Sequence, residues 1–259
     1  MPTLSKIMLY PIKSLDGVAV DAAAVLPGGA LQGDREFALV DREGKFVNGK
    51  RTEAIHAIRA QFDRAARQVQ LWTRAIAPQT FHLDQQRADL EAWFSDYFGY
   101  PVQLAQNTHQ GFPDDCEASG PTLVSVATLT TVATWFPPMT LTEARQRFRT
   151  NLELEDAPAF WEDEQFTAMG DPLPLHVGDV RLMSSNPCQR CIVPTRDSQT
   201  GDRTPQFQAH FIAQRRATLP ANAPPTRFNH FYKLTLNTRV ASDQTGKVLR
   251  IGDQVKSIE

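Results

Sequence analysis

The sequence predicts an α+β fold that is mostly β, and three observations support this class. Short alternating or apolar segments, separated by Gly and Pro, fill the first third and the end of the chain. Only four segments place apolar residues at helical spacing. With 259 residues, 41% of them hydrophobic, the chain is long enough to bury one large core or two smaller ones.

The first third is predicted to form a small antiparallel sheet or barrel. Strand-type composition occurs at residues 4–10, 18–26, 37–41 and 46–48. Residues 61–73 add a hairpin whose turn lies at 64–67. An amphipathic helix follows at 87–98, because apolar side chains recur there at helical spacing and Gly99 and Pro101 stop the pattern.

The second half is predicted to begin after a loop-rich segment at 107–121, which places a domain boundary near residue 115 and gives domains 1–115 and 116–259. Helices are expected at 126–136, 142–149 and 207–216. Strands are expected near Leu152, at 180–183 and 191–194, and as short segments in 234–258.

Composition excludes several classes of protein. The 27 basic and 29 acidic side chains give a net charge of −2, so nucleic-acid binding is not expected. No apolar run reaches the roughly 18 residues that a membrane span needs. The N-terminus has no signal-peptide pattern, so a cytoplasmic location is expected. The 3 cysteines are too few for a disulfide framework and predict reduced thiols.

The segment NPCQRCIVPTRDSQTG (186–201) carries the most unusual chemistry in the chain. Its C-x-x-C lacks the second ligand pair that a structural zinc site uses. A thioredoxin-type dithiol needs a helix start, whereas Ile192, Val193 and Pro194 indicate the end of a strand. Neighbouring arginines favour a thiolate at Cys191, which makes this residue a candidate ligand for a soft or high-valent metal.

The other two cysteines receive simpler interpretations. Cys188 is interpreted as a small buried hydrophobe or a redox-inert neighbour of Cys191. Cys116 lies among acidic residues that disfavour a thiolate, so it is interpreted as an ordinary thiol. The acidic run 162–164 could hold a hard cation, but a solvated turn or helix start is the favoured interpretation.

A second group of residues has the chemistry to bind an anion: Lys13, Ser14, Arg35, Arg147, Arg149 and Asn151. Each could equally be a surface residue or half of an ion pair, such as Arg35 with Asp34. The glycines of LPGGALQGD are interpreted as turn residues, because no βαβ unit follows them. No G-x-S-x-G occurs, so a serine hydrolase is not expected.

Five ordered motifs carry a family resemblance that spans almost the whole chain. They are LYPIKSLDG, LQGDREFALVDREGKFVNGKR, PTLVSVATL, RFRTNLELEDAPAFWED and PCQRCIVPTRDSQTG. In this order they resemble MOSC-domain proteins with an N-terminal MOSC barrel, the group that includes the mitochondrial amidoxime reducing component and its bacterial relatives. The resemblance implies two β-barrel-like domains packed together with peripheral helices, and a pocket at their junction.

The resemblance also implies a molybdenum cofactor (Mo-molybdopterin), with no requirement for pyridoxal phosphate. The position that matches the metal-binding thiolate is Cys191. By the same motif positions the residues expected to hold the cofactor's phosphate and pterin are Lys13, Ser14, Arg35, Arg149, Asn151 and Arg190, with Ser125 and Thr195 as weaker candidates. Pro194 and Arg196 depart from the family pattern, which expects threonine and a small apolar residue there.

The activity that this resemblance implies is reduction of N-hydroxylated compounds, namely amidoximes, hydroxylamines or N-hydroxylated bases. The sequence shows neither a ferredoxin-type cysteine extension nor a membrane anchor, so electrons are expected from a separate donor protein of the ferredoxin or cytochrome/flavin reductase type. Two alternatives remain open: a non-catalytic carrier of the cofactor or of sulfur, and a metal-free thiol protein.

Overall fold

The computed structural model describes residues 1–257, so the last two positions of the predicted second domain, including the end of the predicted strand region 234–258, lie outside the described residues. Within residues 1–257 the chain forms fifteen strands and four α-helices. The strands are β1 Thr3–Leu9, β2 Val18–Val20, β3 Ala22–Ala24, β4 Phe37–Asp41, β5 Arg59–Asp63, β6 Gln68–Trp72, β7 Gln79–His82, β8 Val102–Gln106, β9 Leu123–Ser125, β10 Leu152–Glu155, β11 Pro174–Val177, β12 Val180–Gln189, β13 Lys233–Val240, β14 Val248–Arg250 and β15 Val255–Ser257. The helices are α1 Arg87–Phe98, α2 Val126–Thr134, α3 Leu141–Phe148 and α4 Phe207–Ala217.

The largest sheet combines strands from both ends of the chain. Its eight strands run in the order β15-β11-β12-β13-β9-β10-β1-β2. β1 pairs antiparallel with β10, and β10 pairs parallel with β9. The buried side chains of Leu4, Ile7 and Leu9 on β1 join the same apolar cluster as Leu123 and Leu152. Strand pairing therefore crosses the predicted boundary between residues 115 and 116.

Two further apolar clusters complete the interior. One lies among β4, β8, the three-stranded sheet β5-β6-β7 and the buried face of α1, where Leu90, Trp93 and Phe94 point inward. The other lies among α2, α3 and α4, with Phe148 and Phe211 as large buried side chains. These clusters support the loops that meet between them, because densely packed side chains hold the attached backbone in place.

The α+β, mostly β class is confirmed, and so are the hairpin and the four helices, with ends shifted by a few residues. Three strand predictions are wrong in detail. The segment 18–26 divides into β2 and β3 at Asp21, and 46–48 makes only an isolated bridge from Phe46 to Val40. Residues 191–194 are not a strand, because β12 ends at Gln189 and a short 3₁₀ helix covers Val193–Thr195.

The physical reason for that last error lies in the residues themselves. Pro194 has no amide hydrogen to contribute to a strand ladder. The Thr195 hydroxyl instead donates a 2.6 Å hydrogen bond to the Ile192 carbonyl, which closes a tight turn. Across residues 1–257, no helix has both the length and the apolar character required to span a bilayer.

The acidic run at 162–164 lies in a short helix, as one of its two favoured interpretations predicts, but most of it is not solvated. In the 3₁₀ helix Trp161–Glu164 the side chains of Glu162 and Asp163 are almost completely buried. The fully buried Arg215 of α4 donates a 2.6 Å hydrogen bond to Asp163 and lies over the Phe160 ring. A charge that is paired this closely can be buried, whereas an isolated one would be strongly disfavoured.

Stability is expected to depend on pH through Glu162. Burial, together with the adjacent Asp163, raises the pKa of this carboxyl from 4.5 to about 8. A carboxyl whose pKa is higher in the folded state stabilises the fold while protonated, so its contribution is lost as the pH rises from 4.5 to about 8. We expect Glu162→Gln to improve stability relative to the native protein by roughly 3 kcal/mol more at pH 8 than at pH 5. Urea unfolding at both pH values measures this difference, and an equal effect at the two pH values would contradict it.

Candidate functional site

A cavity of about 880 Å³ opens between the two parts of the chain. It is lined by loops that follow β1, β3 and β8 and by the ends of α3 and β12. Ten Lys and Arg residues line it, against four Asp. The net charge of the whole chain is close to zero, so this local excess of cations favours an anionic ligand.

Three of the residues that were singled out from the sequence have left-handed backbone conformations in this cavity. The φ angles are 73° at Ser14, 44° at Arg35 and 53° at Arg149. A non-glycine residue in this region costs on the order of 1 kcal/mol or more, and it persists only where its surroundings hold it. The amide of Gly49 donates to Ser14 Oγ, and Arg149 takes the left-handed position that ends α3.

Two arginines lie against the ring of Tyr10. The guanidinium carbon of Arg35 is 4.8 Å from the ring centroid, and that of Arg149 is 4.2 Å from it. Arg35 is held by Asp34 and by Asn151 Oδ1, which confirms the ion pair expected between Asp34 and Arg35. Burial raises the pKa of Tyr10 to about 12, so its hydroxyl stays neutral.

Arg149 differs from Arg35 in its partners. Among the described residues no carboxylate is in ion-pair contact with Arg149, and burial lowers the pKa of its guanidinium. Asn151 is fixed more firmly, since its amide donates to the Met8 carbonyl and its Oδ1 accepts from Thr122. This part of the cavity is therefore lined by hydrogen-bonded polar groups. Arg149 stacks on the Tyr10 ring and has no anionic partner among the described residues.

The segment that begins at Arg190 and contains Cys191, which we call the cysteine loop, follows directly from the end of β12. The amide of Arg190 donates to the Tyr232 carbonyl, and the Tyr232 hydroxyl donates to the Cys191 carbonyl. The Arg190 guanidinium donates to Cys188 Sγ at 3.2 Å and to the Phe148 carbonyl at 2.8 Å. Cys191 is half-buried and lines the cavity.

The interpretation of Cys188 as a buried hydrophobe is therefore wrong. Cys188 is only half-buried, lines the cavity and accepts from Arg190. Cys116 is exposed and lines the same cavity, so all three thiols of the chain open onto one space. The Arg190 guanidinium, which the sequence placed beside Cys191, contacts the sulfur of Cys188.

Seven of the nine predicted site residues line this cavity, and two do not. The seven are Lys13, Ser14, Arg35, Arg149, Asn151, Arg190 and Cys191. Ser125 is completely buried as the N-cap of α2, where its hydroxyl accepts from the Thr128 amide and donates to the Pro158 carbonyl. The Thr195 hydroxyl is engaged by its own turn. The assignment of these two residues to the cofactor is therefore corrected to a structural role.

The role of Ser125 can be measured directly. We expect Ser125→Ala to lower the free energy of unfolding by about 1–2 kcal/mol, because it removes a helix N-cap and leaves buried groups without partners. Ligand binding in the cavity should be unchanged. Urea denaturation and a ligand titration on the same variant measure both effects, and weakened binding at unchanged stability would restore Ser125 to the site.

Sequence reasoning missed Tyr10, Lys50 and Asp114. Tyr10 stands three residues before Lys13 in LYPIKS, and an aromatic side chain among basic motifs is a usable signal for guanidinium stacking. Asp114 was noted only as a neighbour of Cys116, yet it pairs with Lys13 at 2.5 Å and with Lys50 at 3.2 Å. Arg196, which departs from the family pattern, lines the cavity and pairs with Glu53.

Comparison with known proteins gives two family matches that together cover most of the chain. Residues 1–101 match the MOSC N-terminal beta barrel domain, and residues 122–256 match the MOSC domain. Molybdenum cofactor sulfurases of Drosophila mojavensis and Drosophila melanogaster are each 24% identical to this chain, over 234 and 239 residues. These matches cover 79% of this chain but only 29% of each sulfurase. The YUAD protein from Bacillus subtilis matches with a TM-score of 0.39 and 9% identity, covering 100% of this chain and 98% of that one.

Proposed function

Because the chain belongs to the MOSC domain family, we propose that it is a cytoplasmic, molybdenum-cofactor-dependent reductase of N-hydroxylated compounds that takes electrons from a separate donor protein. The observation that carries the proposal is the position of Cys191. Its half-buried thiol opens onto a cavity that gathers Lys and Arg side chains from both parts of the chain. A thiolate suits a soft-ligand metal, and the cations suit a phosphate and a polar heterocycle.

The residues present fit the cofactor's chemistry. The Nε atom of Arg190 is buried and has no hydrogen-bond partner within residues 1–257, so this arginine has a donor left for a ligand. Arg149 is stacked on Tyr10 without an ionic partner in that range. Planar guanidinium groups donate in pairs to phosphate and to heterocyclic acceptors. Lys13, Arg35, Arg149 and Arg190 would hold the cofactor's anionic and pterin groups, and Cys191 would bind the metal.

When bound, the cofactor supplies a metal centre that accepts the oxygen atom of an N-hydroxylated substrate. The protein's part is binding, orientation and electrostatic tuning. Arg190 contacts Cys188 Sγ and holds the cysteine loop to the end of α3 through the Phe148 carbonyl. Tyr10, neutral with a pKa of about 12, contacts two guanidinium groups through its ring and so helps to position both at the cavity.

A second candidate is a carrier that binds the cofactor or a persulfide and transfers it. Two observations favour it: the relatives identified by sequence are named as molybdenum cofactor sulfurases, and three thiols line one cavity. Because the chain spans 29% of those relatives, their whole activity is a proposal for this chain.

Metal content and turnover, measured on the same sample, separate the candidates. Protein expressed with molybdate should contain close to one molybdenum per chain by elemental analysis and should reduce a model amidoxime with an artificial electron donor. Protein from a host that cannot synthesise the pyranopterin is the control and should do neither. Cofactor without turnover would favour the carrier. Absence of molybdenum from protein that the host could load would refute the reductase and the cofactor carrier, and would leave only the persulfide carrier.

A further inference from the structure

The carboxylate of Asp114 lies between two positively charged side chains of the cavity. Asp114 Oδ1 lies 2.5 Å from the Lys13 ammonium group, and Asp114 Oδ2 lies 3.2 Å from that of Lys50. A single carboxylate thus bridges two lysines that both line the cavity. Two oxygens of a phosphate group could bridge the same two ammonium groups, because phosphate and carboxylate oxygens accept the same charge-assisted hydrogen bonds.

The two ends of this contact are very unequal in burial. The Lys13 side chain is 10% exposed, whereas that of Asp114 is 58% exposed. Burial lowers the pKa of Lys13, and the carboxylate of Asp114 opposes that effect. Among the described residues Asp114 is the one carboxylate paired with Lys13, so the lysine depends on an anion at this point. Asp114 is itself more than half exposed and can return to water, but only where another anion takes its place beside the buried Lys13.

Asp114 belongs to a segment that lies along the cavity, residues 112–119, which we call the strap. In the described chain the Lys13 ammonium group donates two hydrogen bonds, and both go to the strap. One goes to the Asp114 carboxylate and the other, at 2.8 Å, to the Phe112 carbonyl.

Elsewhere, among residues 1–257, four hydrogen bonds hold the strap to the rest of the chain. The Phe112 amide donates to the Arg35 carbonyl, and the Ser119 hydroxyl donates to the Gly28 carbonyl. The Asn237 amide donates to the Asp115 carboxylate, and the Arg239 guanidinium donates to the Glu117 carbonyl. The strap contains no helix or strand, so these few contacts decide its position.

We propose that Asp114 and a phosphate-type anion are mutually exclusive partners of Lys13 and Lys50, so that entry of the anion displaces Asp114 and releases the strap. The carboxylate keeps a buried lysine neutralised, and it makes the site selective for ligands that can outcompete an internal anion. The inference rests on the proposed function only for the identity of the anion, which would be the cofactor's phosphate. The competition itself is a property of these three side chains.

The test uses full-length protein from a host that cannot synthesise the pyranopterin, with inorganic phosphate as the probe. Calorimetric titration at constant ionic strength should show that Asp114→Asn binds phosphate roughly fivefold more tightly, the ratio that corresponds to loss of an ion pair worth about 1 kcal/mol. Asp115→Asn is the matched control, because Asp115 is the next residue and contacts Asn237 rather than a lysine. Its affinity should stay within twofold of the native value.

Hydrogen exchange on the native protein gives a second readout that needs no variant. Amides of residues 112–119 should exchange faster when phosphate is added, whereas chloride at the same ionic strength should have no such effect. Unchanged or weaker binding by D114N, an equal gain in D115N, no measurable phosphate binding, or an unaltered strap would each overturn the proposal. Failure of the proposed reductase would leave these measurements intact, because they involve neither molybdenum nor substrate.

Discussion

Cys191→Ala is expected to lose both molybdenum and amidoxime reduction, with turnover lower by roughly a hundredfold or more. The estimate is a lower limit, since removal of a group that merely supports a metal ligand already costs about 10- to 100-fold. Cys191 lines the cavity with a half-buried thiol, and its backbone is anchored through its carbonyl to the Tyr232 hydroxyl. The fold should therefore survive the substitution, and elemental analysis with turnover on the same sample measures the loss.

Cys188→Ala is the matched control for this experiment. Cys188 lies three residues earlier, lines the same cavity and contacts Arg190, so it differs from Cys191 mainly in its proposed role. We expect this variant to keep its metal and most of its turnover. If both variants lost activity equally while the protein contained no metal, the dithiol alternative would replace the proposed one. Retention of molybdenum and turnover by Cys191→Ala would remove Cys191 as the ligand.

Asp163→Ala is expected to lower the free energy of unfolding by about 3–5 kcal/mol. Arg215 and Asp163 form an ion pair whose side chains are 1% and 3% exposed, with 2.6 Å between the paired atoms. Removal of the carboxylate leaves a fully buried guanidinium without its counter-ion, and one of its nitrogens, Nη1, already has no partner in the described chain. Urea denaturation measures the change, and a fall in Tm of about 10 °C should accompany it.

The Arg181–Asp243 pair provides the comparison, because its side chains are 44% and 59% exposed at 2.9 Å. Asp243→Ala should leave the free energy of unfolding nearly unchanged, because solvent screens an exposed pair. In a second comparison, Asp163→Leu combined with Arg215→Met should recover much of the lost stability, since a packed apolar pair can replace a buried ionic one. Equal losses for Asp163→Ala and Asp243→Ala would show that burial does not govern this pair.

Local structure could be predicted from the sequence where neighbouring residues decide it. The helix α1 is an example, because Leu90, Trp93 and Phe94 form its buried face and Gly99 provides its left-handed end. The burial of Glu162 and Asp163 could not be predicted, because their partner Arg215 comes from α4 and only the tertiary fold brings it near. A run of charges near a helix start usually faces solvent.

The candidate site, like the fold, could be predicted from the sequence only in part. Motif resemblance indicated residues that the structure brings into one cavity, and their binding role stays a prediction. It also indicated Ser125, whose hydroxyl is used as a helix cap. A motif contains residues whose side chains are buried in the pocket wall as well as residues whose side chains face the cavity. Only the direction of each side chain distinguishes the two. The sequence could not assign a role to Asp114, because only the folded structure shows that this loop carboxylate pairs with Lys13 and Lys50.

The strand pairing affects how the protein folds during synthesis, because strands near the start of the chain pair with strands that are made later. β1 pairs with β10, Thr3 forms a bridge with Gln254, and β3 pairs with β14 near the end of the chain. The first strands therefore wait for partners that are synthesised last, and contacts between such distant residues slow folding. During that interval β1 has only β2 as a paired strand, and its apolar side chains lack most of the cluster that they join, so the nascent chain exposes apolar surface.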